Sequence, residues 1–133
     1  MEFGNNRIRV LVAEDNRDLA AAICALITAE PDMQVCGTVD CTCDLLDAAA
    51  KQGAHVLVLD LDLGSESSVP ALLRLRQSHP AMAIVVYSGY DQRDLSTVLA
   101  PTGQCAYVAK PGDPHEVIGA IRRAAQGAVG AGN

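Results

Sequence analysis

Five positions combine residue type and context in a way that suits chemistry on a phosphoryl group: Glu14, Asp15, Asp60, Ser88 and Lys110. Each stands where an apolar run stops. Val56-Leu57-Val58-Leu59 ends on Asp60, Arg7 to Ala13 ends on Glu14-Asp15, Ala83 to Tyr87 ends on Ser88-Gly89, and Gln104 to Ala109 ends on Lys110-Pro111. Three carboxylates in one cleft repel one another and hold protons unless a cation sits among them. The cation they suit is hard and oxygen-seeking. Mg²⁺ takes one or two carboxylates, keeps several waters and bridges to phosphate. Lys110 adds a point charge for a carboxylate or phosphoryl oxygen, and Ser88 adds a neutral hydroxyl. A nucleophilic carboxylate, a metal, a cation and a donor are the parts of a phosphoryl-handling site.

For these groups to meet, the runs must be parallel strands that end on one edge. Val56 to Leu59 reads as a strand buried on both faces, with Asp60 at its carboxyl end, where open α/β sheets place their ligands. Helical spacing follows each strand. Asn16 caps a first helix carrying Leu19, Ile23, Leu26 and Ile27 to about Glu30, and Pro31 stops it. Met33 to Val39 is a weaker strand nearer the sheet edge. Asp40 or Thr42 caps a second helix with Leu45, Leu46 and Ala49 inward and Gly53 as its exit. A loop, Leu61 to Ser67, leads to a third helix with Pro70 in its first turn. There Leu72, Leu73 and Leu75 pack, and Arg74, Arg76 and Gln77 face water. Asp91 caps a short fourth helix. Asp113-Pro114-His115-Glu116 opens a fifth, with Val117, Ile118 and Ile121 toward the sheet. Gly119 costs that helix ~1 kcal/mol against Ala, and close packing is the only reason the sequence offers for it. Five strands alternating with five helices predict a doubly wound, five-stranded parallel α/β sheet with right-handed crossovers.

The 133 residues are expected to form a single domain, residues 1–133, with a core over about 7–126 and a flexible small-residue tail at 127–133. Half of the residues are apolar, while Trp is absent and there are one Phe and three Tyr, so the core is aliphatic. A net charge of −6 argues against nucleic acid as a partner. No apolar run approaches the ~18 residues of a membrane span, and the first residues lack a signal peptide's apolar centre. The expected location is the cytoplasm. Five cysteines without a secretion signal imply reduced thiols. Cys41 and Cys43 are spaced CxC without a second pair, which favours small-residue packing over a metal site. His55, His79 and His115 share no spacing that marks a site.

The segments VLVAEDN, VLVLDLDLG, VVYSG and YVAKP stand in order and in register. Together they resemble the receiver domain of two-component response regulators, a CheY-like, flavodoxin-like fold, from about Arg7 to Gln126. The resemblance implies the strand order 2-1-3-4-5. It also implies that Asp60 is the phosphoacceptor and that Mg²⁺ is held by Asp15, Asp60, the backbone carbonyl of Asp62 and, through water, Glu14. Ser88 and Lys110 are then phosphoryl-binding, Gly89 leaves room for the phosphate, Tyr107 is the aromatic switch, and Lys110-Pro111 is a cis peptide. The implied partners are a sensor histidine kinase or phosphotransfer protein, and a downstream protein target or an output domain in trans. A homodimer through the fourth helix, fifth strand and fifth helix is also compatible with it. The chain is then a signalling protein and not an enzyme.

The acceptor loop departs from the family at Leu63, Gly64 and Ser68, where Met, Pro and Gly are commonest. Asp62 and Tyr90 occupy positions that tune phosphate loss in this family. Ser68 is the one feature that favours an unphosphorylated receiver-like scaffold. A haloacid-dehalogenase-type phosphatase matches Asp60-Leu61-Asp62, Ser88 and Lys110, but wants its acidic pair after the lysine, not at Glu14-Asp15. A flavodoxin would need to place a flavin phosphate against those same acids.

Overall fold

The chain runs β1 (Ile8–Ala13), α1 (Arg17–Thr28), β2 (Met33–Val39), a 3₁₀ turn (Thr42–Asp44), α2 (Leu45–Gln52) and β3 (Val56–Leu59). A small hairpin follows, β4 (Asp62–Leu63) and β5 (Glu66–Ser67), then α3 (Val69–Ser78), β6 (Ala83–Ser88), α4 (Gln92–Leu99), β7 (Ala106–Ala109) and α5 (His115–Ala131). The structure, a computed structural model, describes residues 7–90, 92–100, 105–110 and 112–131. Five parallel strands lie in the order β2-β1-β3-β6-β7. With the hairpin set aside, this is the expected 2-1-3-4-5 order.

Side-chain alternation along the strands divides the core in two. Val10, Val12, Val56, Val58, Val85 and Val108 face Ile23 and Ile27 of α1 and Val117, Ile118 and Ile121 of α5. Leu11, Leu57, Leu59, Ile84 and Val86 face Leu45 of α2 and Leu72 and Leu75 of α3. Branched valines thus cover one face and leucines much of the other. β3 is flanked by β1 and β6 and is buried throughout, so Asp60 leaves the middle of the sheet.

Asn16 caps α1 as expected, its Oδ1 accepting from Leu19 N at 3.1 Å. Gly53 ends α2 with φ 60°. Other expectations are corrected. α1 stops at Thr28, before Glu30. Neither Asp40 nor Thr42 caps α2. The 3₁₀ turn intervenes, and the Thr42 hydroxyl donates instead to Glu66 Oε1 at 2.9 Å. Arg76 is half-buried, because its Nη1 donates to the Met82 carbonyl at 2.8 Å. Cys41 and Cys43 are joined in a disulfide, against the expectation of reduced, packed thiols, and Cys43 is exposed. The bend at Thr42 brings their Cα atoms to 5.3 Å, within disulfide reach. Cys24, Cys36 and Cys105 remain thiols. Helical backbone continues to Ala131, into the stretch expected to be a tail. Arg122 ties α5 to the α1–β2 loop through a bidentate pair with Asp32, at 3.0 and 2.9 Å, and a bond to Glu30. The guanidinium holds the Asp32 carboxyl below its ordinary value.

Gly119 is not explained by close packing. A Cβ there would meet only the mobile end of Arg123, at 3.2 Å, and its φ is not positive. Gly119→Ala is therefore expected to stabilise the protein by about 0.5–1 kcal/mol, by reducing the freedom of the unfolded chain. A lower urea midpoint for the variant would contradict this.

Candidate functional site

β1 and β3 run side by side in register, Ala13 opposite Leu59, so the residues that follow them emerge together. Asp60 N donates to the Ala13 carbonyl at 3.0 Å, and Glu14 N donates to Val39 at 3.0 Å. Carboxylate oxygens of Glu14, Asp15 and Asp60 come within 4.8 Å of one another. Lys110 reaches in from the end of β7. Its Nζ donates to Glu14 Oε1 at 2.7 Å and to Asp60 Oδ2 at 3.1 Å, and lies 5.2 Å from the Tyr87 ring centroid.

Each carboxylate has defined partners. Glu14 is buried, and its Oε2 accepts from Asn16 N at 3.1 Å. Burial raises its carboxyl above the ordinary value, with the Lys110 bond opposing the shift. Burial also works against the Lys110 ammonium, but the bonds to Glu14 and Asp60 outweigh it and raise the lysine. Asp60 Oδ1 accepts from Asp62 N at 3.0 Å, so its two oxygens see different donors. Asp15 is exposed, and its Oδ2 accepts from Gly64 N at 3.0 Å. Gly64 meets that carboxylate from a turn with φ 67°, which favours glycine.

One ammonium among three carboxylates leaves a negative excess that a divalent cation neutralises. The donors are hard oxygens grouped closely enough for one ion, so the set fits Mg²⁺. A cleft of about 390 Å³ opens beside Glu14 and Asp15, lined also by Thr38, Asp40 and Asp44. Its four carboxylates outweigh the one guanidinium of Arg17 that also lines it, so the cleft disfavours an anion such as a flavin phosphate.

Glu14, Asp15, Asp60 and Lys110 are thus brought together. Ser88 is buried at the end of β6, where its hydroxyl accepts from Tyr90 N at 3.1 Å and its carbonyl from Lys110 N at 2.8 Å. Gly89 is exposed, with open space where a Cβ would point. Tyr107 is half-buried, and its hydroxyl donates to the Tyr90 carbonyl. The Asp62 backbone follows Asp60 closely, through the amide bond to Oδ1. The expected cis peptide at Pro111 lies outside the described residues.

Three features escape a reading by strand ends. The exposed Tyr90 hydroxyl pairs with the Asp62 carboxylate, which raises the phenol. Gly112 allows a close turn after β7, since a Cβ there would sit 2.7 Å from the Ala109 carbonyl. Ser68 is fully buried with φ −92°, a backbone any residue adopts, so the loop does not need glycine there.

The family model described as response regulator receiver domain matches residues 10–122. The transcriptional regulatory protein DegU of Brevibacillus brevis is 22% identical over 126 residues, which is 95% of this chain and 53% of that protein. The response regulator GacA of Pseudomonas aeruginosa is 27% identical over 116 residues, 87% of this chain and 54% of that protein. The chain spans about half the length of these curated relatives. A CheY-like response regulator receiver domain protein from Methanospirillum hungatei JF-1 superposes with a TM-score of 0.83 at 17% identity, covering 94% of this chain and 98% of that one. At that identity the likeness shows the fold. No helix among the described residues is long and apolar enough to cross a membrane.

Lys110→Met removes the only ammonium that bridges Glu14 and Asp60 in this cluster. In chelator, the variant is expected to lose up to about 3 kcal/mol near neutral pH. Glu14, with its carboxyl raised further, regains stability on protonation, so the deficit narrows as pH falls through the carboxylate range. A deficit that stays constant or widens on acidification, measured by denaturant unfolding, would contradict this electrostatic account.

Proposed function

The chain belongs to the response regulator receiver domain family, and from that premise we propose that it is a signalling switch phosphorylated on Asp60. The observation that carries the reading is the division of labour on one carboxylate. Lys110 holds Asp60 Oδ2, the Asp62 amide holds Oδ1, and Glu14 and Asp15 lie beside them. The donor is the phosphohistidine of a sensor histidine kinase or phosphotransfer protein. An Asp60 oxygen attacks phosphorus in line, the P–N bond breaks, and an acyl phosphate forms while the histidine nitrogen leaves with its electron pair. Lys110 offsets charge on the transferred oxygens. Asp15, Asp60, the Asp62 carbonyl and Glu14 would hold Mg²⁺, which would supply the positive charge that lets an anionic donor approach three acids.

Readout starts at Ser88. Its hydroxyl turns from Tyr90 N toward the new phosphoryl oxygens, and Gly89 leaves space for them. Tyr107, whose hydroxyl donates to the Tyr90 carbonyl, follows this movement. The surface of α4, β7 and α5 then shifts its population and binds a downstream protein target, an output domain in trans or a second copy of the chain. The cytoplasm, where the kinase's phosphohistidine is made, is the matching location. The Asp62–Tyr90 pair, beginning two residues after the acceptor, restricts water and so sets the phosphate's lifetime.

Two measurements test the reading. Asp60→Asn is expected to take up no label from acetyl phosphate with Mg²⁺, whereas wild type is labelled; uptake at the wild-type rate would refute the assignment. Mg²⁺ at a hundred times its dissociation constant should stabilise wild type by about 2.7 kcal/mol. Asp15→Ala should lose most of that gain, and an equal gain in this variant would remove Asp15 from the metal site.

A further inference from the structure

Ser68 makes no side-chain bond to the helix it precedes. Its hydroxyl donates to the Asp60 carbonyl at 2.6 Å, and its amide donates to the Leu61 carbonyl at 2.7 Å. The residue is fully buried, and its own carbonyl accepts from Leu72 N at 2.9 Å, which roots it in α3. Two successive carbonyls at the base of the acceptor loop are therefore held by one residue. A peptide group is a rigid plane. Holding the Leu61 carbonyl fixes the Asp62 N–H on the opposite side of the same plane, and that N–H donates to Asp60 Oδ1 at 3.0 Å. Holding the Asp60 carbonyl orients the preceding peptide plane as well, so both planes that flank Leu61 are set.

We propose that Ser68 is a positioning residue for Asp60: through the backbone of Asp60 and Leu61 it aims the acceptor carboxylate, with Oδ1 on the Asp62 amide and Oδ2 toward Lys110, before any ligand binds. The assignment of a function to that aim rests on the reading of Asp60 as phosphoacceptor. A glycine at this position can supply the amide bond but not the hydroxyl bond. This chain thus replaces backbone freedom at the start of α3 with a second tether. The same tether fixes the amide from which Asp62 continues, so it also bears on how the metal-binding oxygens are arranged.

The test compares wild type with Ser68→Ala, Ser68→Gly and Ser68→Thr. Ala removes the donor and leaves a buried carbonyl unpaired, Gly also opens space for water, and Thr retains a hydroxyl. In metal-free protein, hydrogen exchange of the Asp62 amide should accelerate about tenfold in Ala and Gly, while the amides of Val58 and Val85 in the core keep their wild-type rates. The Mg²⁺ dissociation constant should rise about tenfold. The maximal rate of labelling by acetyl phosphate should fall about tenfold at an unchanged half-saturating concentration, with Thr restoring all three. If Ala does not fold, Gly carries the comparison. A variant with a lower melting temperature but wild-type Asp62 exchange, Mg²⁺ affinity and maximal rate, measured well below that temperature, would overturn the proposal. Wild type that takes up no label, with Asp62 exchange and Mg²⁺ affinity still dependent on Ser68, would remove the acceptor reading and leave the positioning role standing.

Discussion

Like charges crowded at the carboxyl edge of a parallel sheet are the constraint around which this molecule is built. Glu14, Asp15 and Asp60 emerge from adjacent strands, and Glu14 is nearly sealed from solvent. A buried carboxylate without a partner costs several kcal/mol. The Lys110 ammonium, coming from the opposite end of the sequence, is shared between Glu14 and Asp60 and offsets part of that cost. It does not offset all of it, which leaves the edge poised to take up a further positive charge. The geometry that makes the cluster expensive is thus the geometry that suits it to a cation.

The loop from Leu61 to Ser67 turns this electrostatic arrangement into a directional one. Leu61 and Leu63 are buried in the leucine-lined half of the core, which anchors the loop from below. Gly64 presents its amide to Asp15, Glu66 accepts from Thr42, and Ser68 closes the base. These contacts tie the loop down along its length, and the Asp62 amide on Oδ1 gives the Asp60 carboxylate a defined orientation within it. From Asp62 a second chain of contacts runs outward through Tyr90, whose phenol meets the Asp62 carboxylate and whose backbone carbonyl accepts from the Tyr107 hydroxyl on β7. The loop after β3 and the half-buried tyrosine of the far strand are therefore two steps apart.

Much of this was legible in residue order. The run Val56 to Leu59, too short and too apolar for a surface helix, had to be an interior strand, and the carboxylates and lysine at the strand ends had to share an edge once the strands were parallel. The Asn16 cap and the Gly53 exit follow from local backbone chemistry, which depends on a few neighbouring residues. The errors fall where a partner outside its own element takes a group that local rules would assign to a cap or to solvent. Thr42 serves Glu66 instead of capping α2, and Arg76 turns back to Met82 instead of facing water. Cys41 and Cys43 depart from expectation for a different reason, since compartment rules describe the chemistry outside the chain and not the bend that brings two sulfurs together.

What the sequence by itself determined was the layered architecture, the strand order through family resemblance, and the identity of the groups at the edge, because hydrophobic periodicity and strand termini are local properties. Only the tertiary structure decided how those groups divide the available donors: which Asp60 oxygen meets Lys110, that Asp15 is held by Gly64, and that Ser68 serves as a tether where a glycine seemed to be missing. Hydrogen bonds are directional and short-ranged, so their partners are chosen by ångström-scale closure of segments up to 96 residues apart. No pattern along the chain encodes that closure until the sheet has brought the segments face to face.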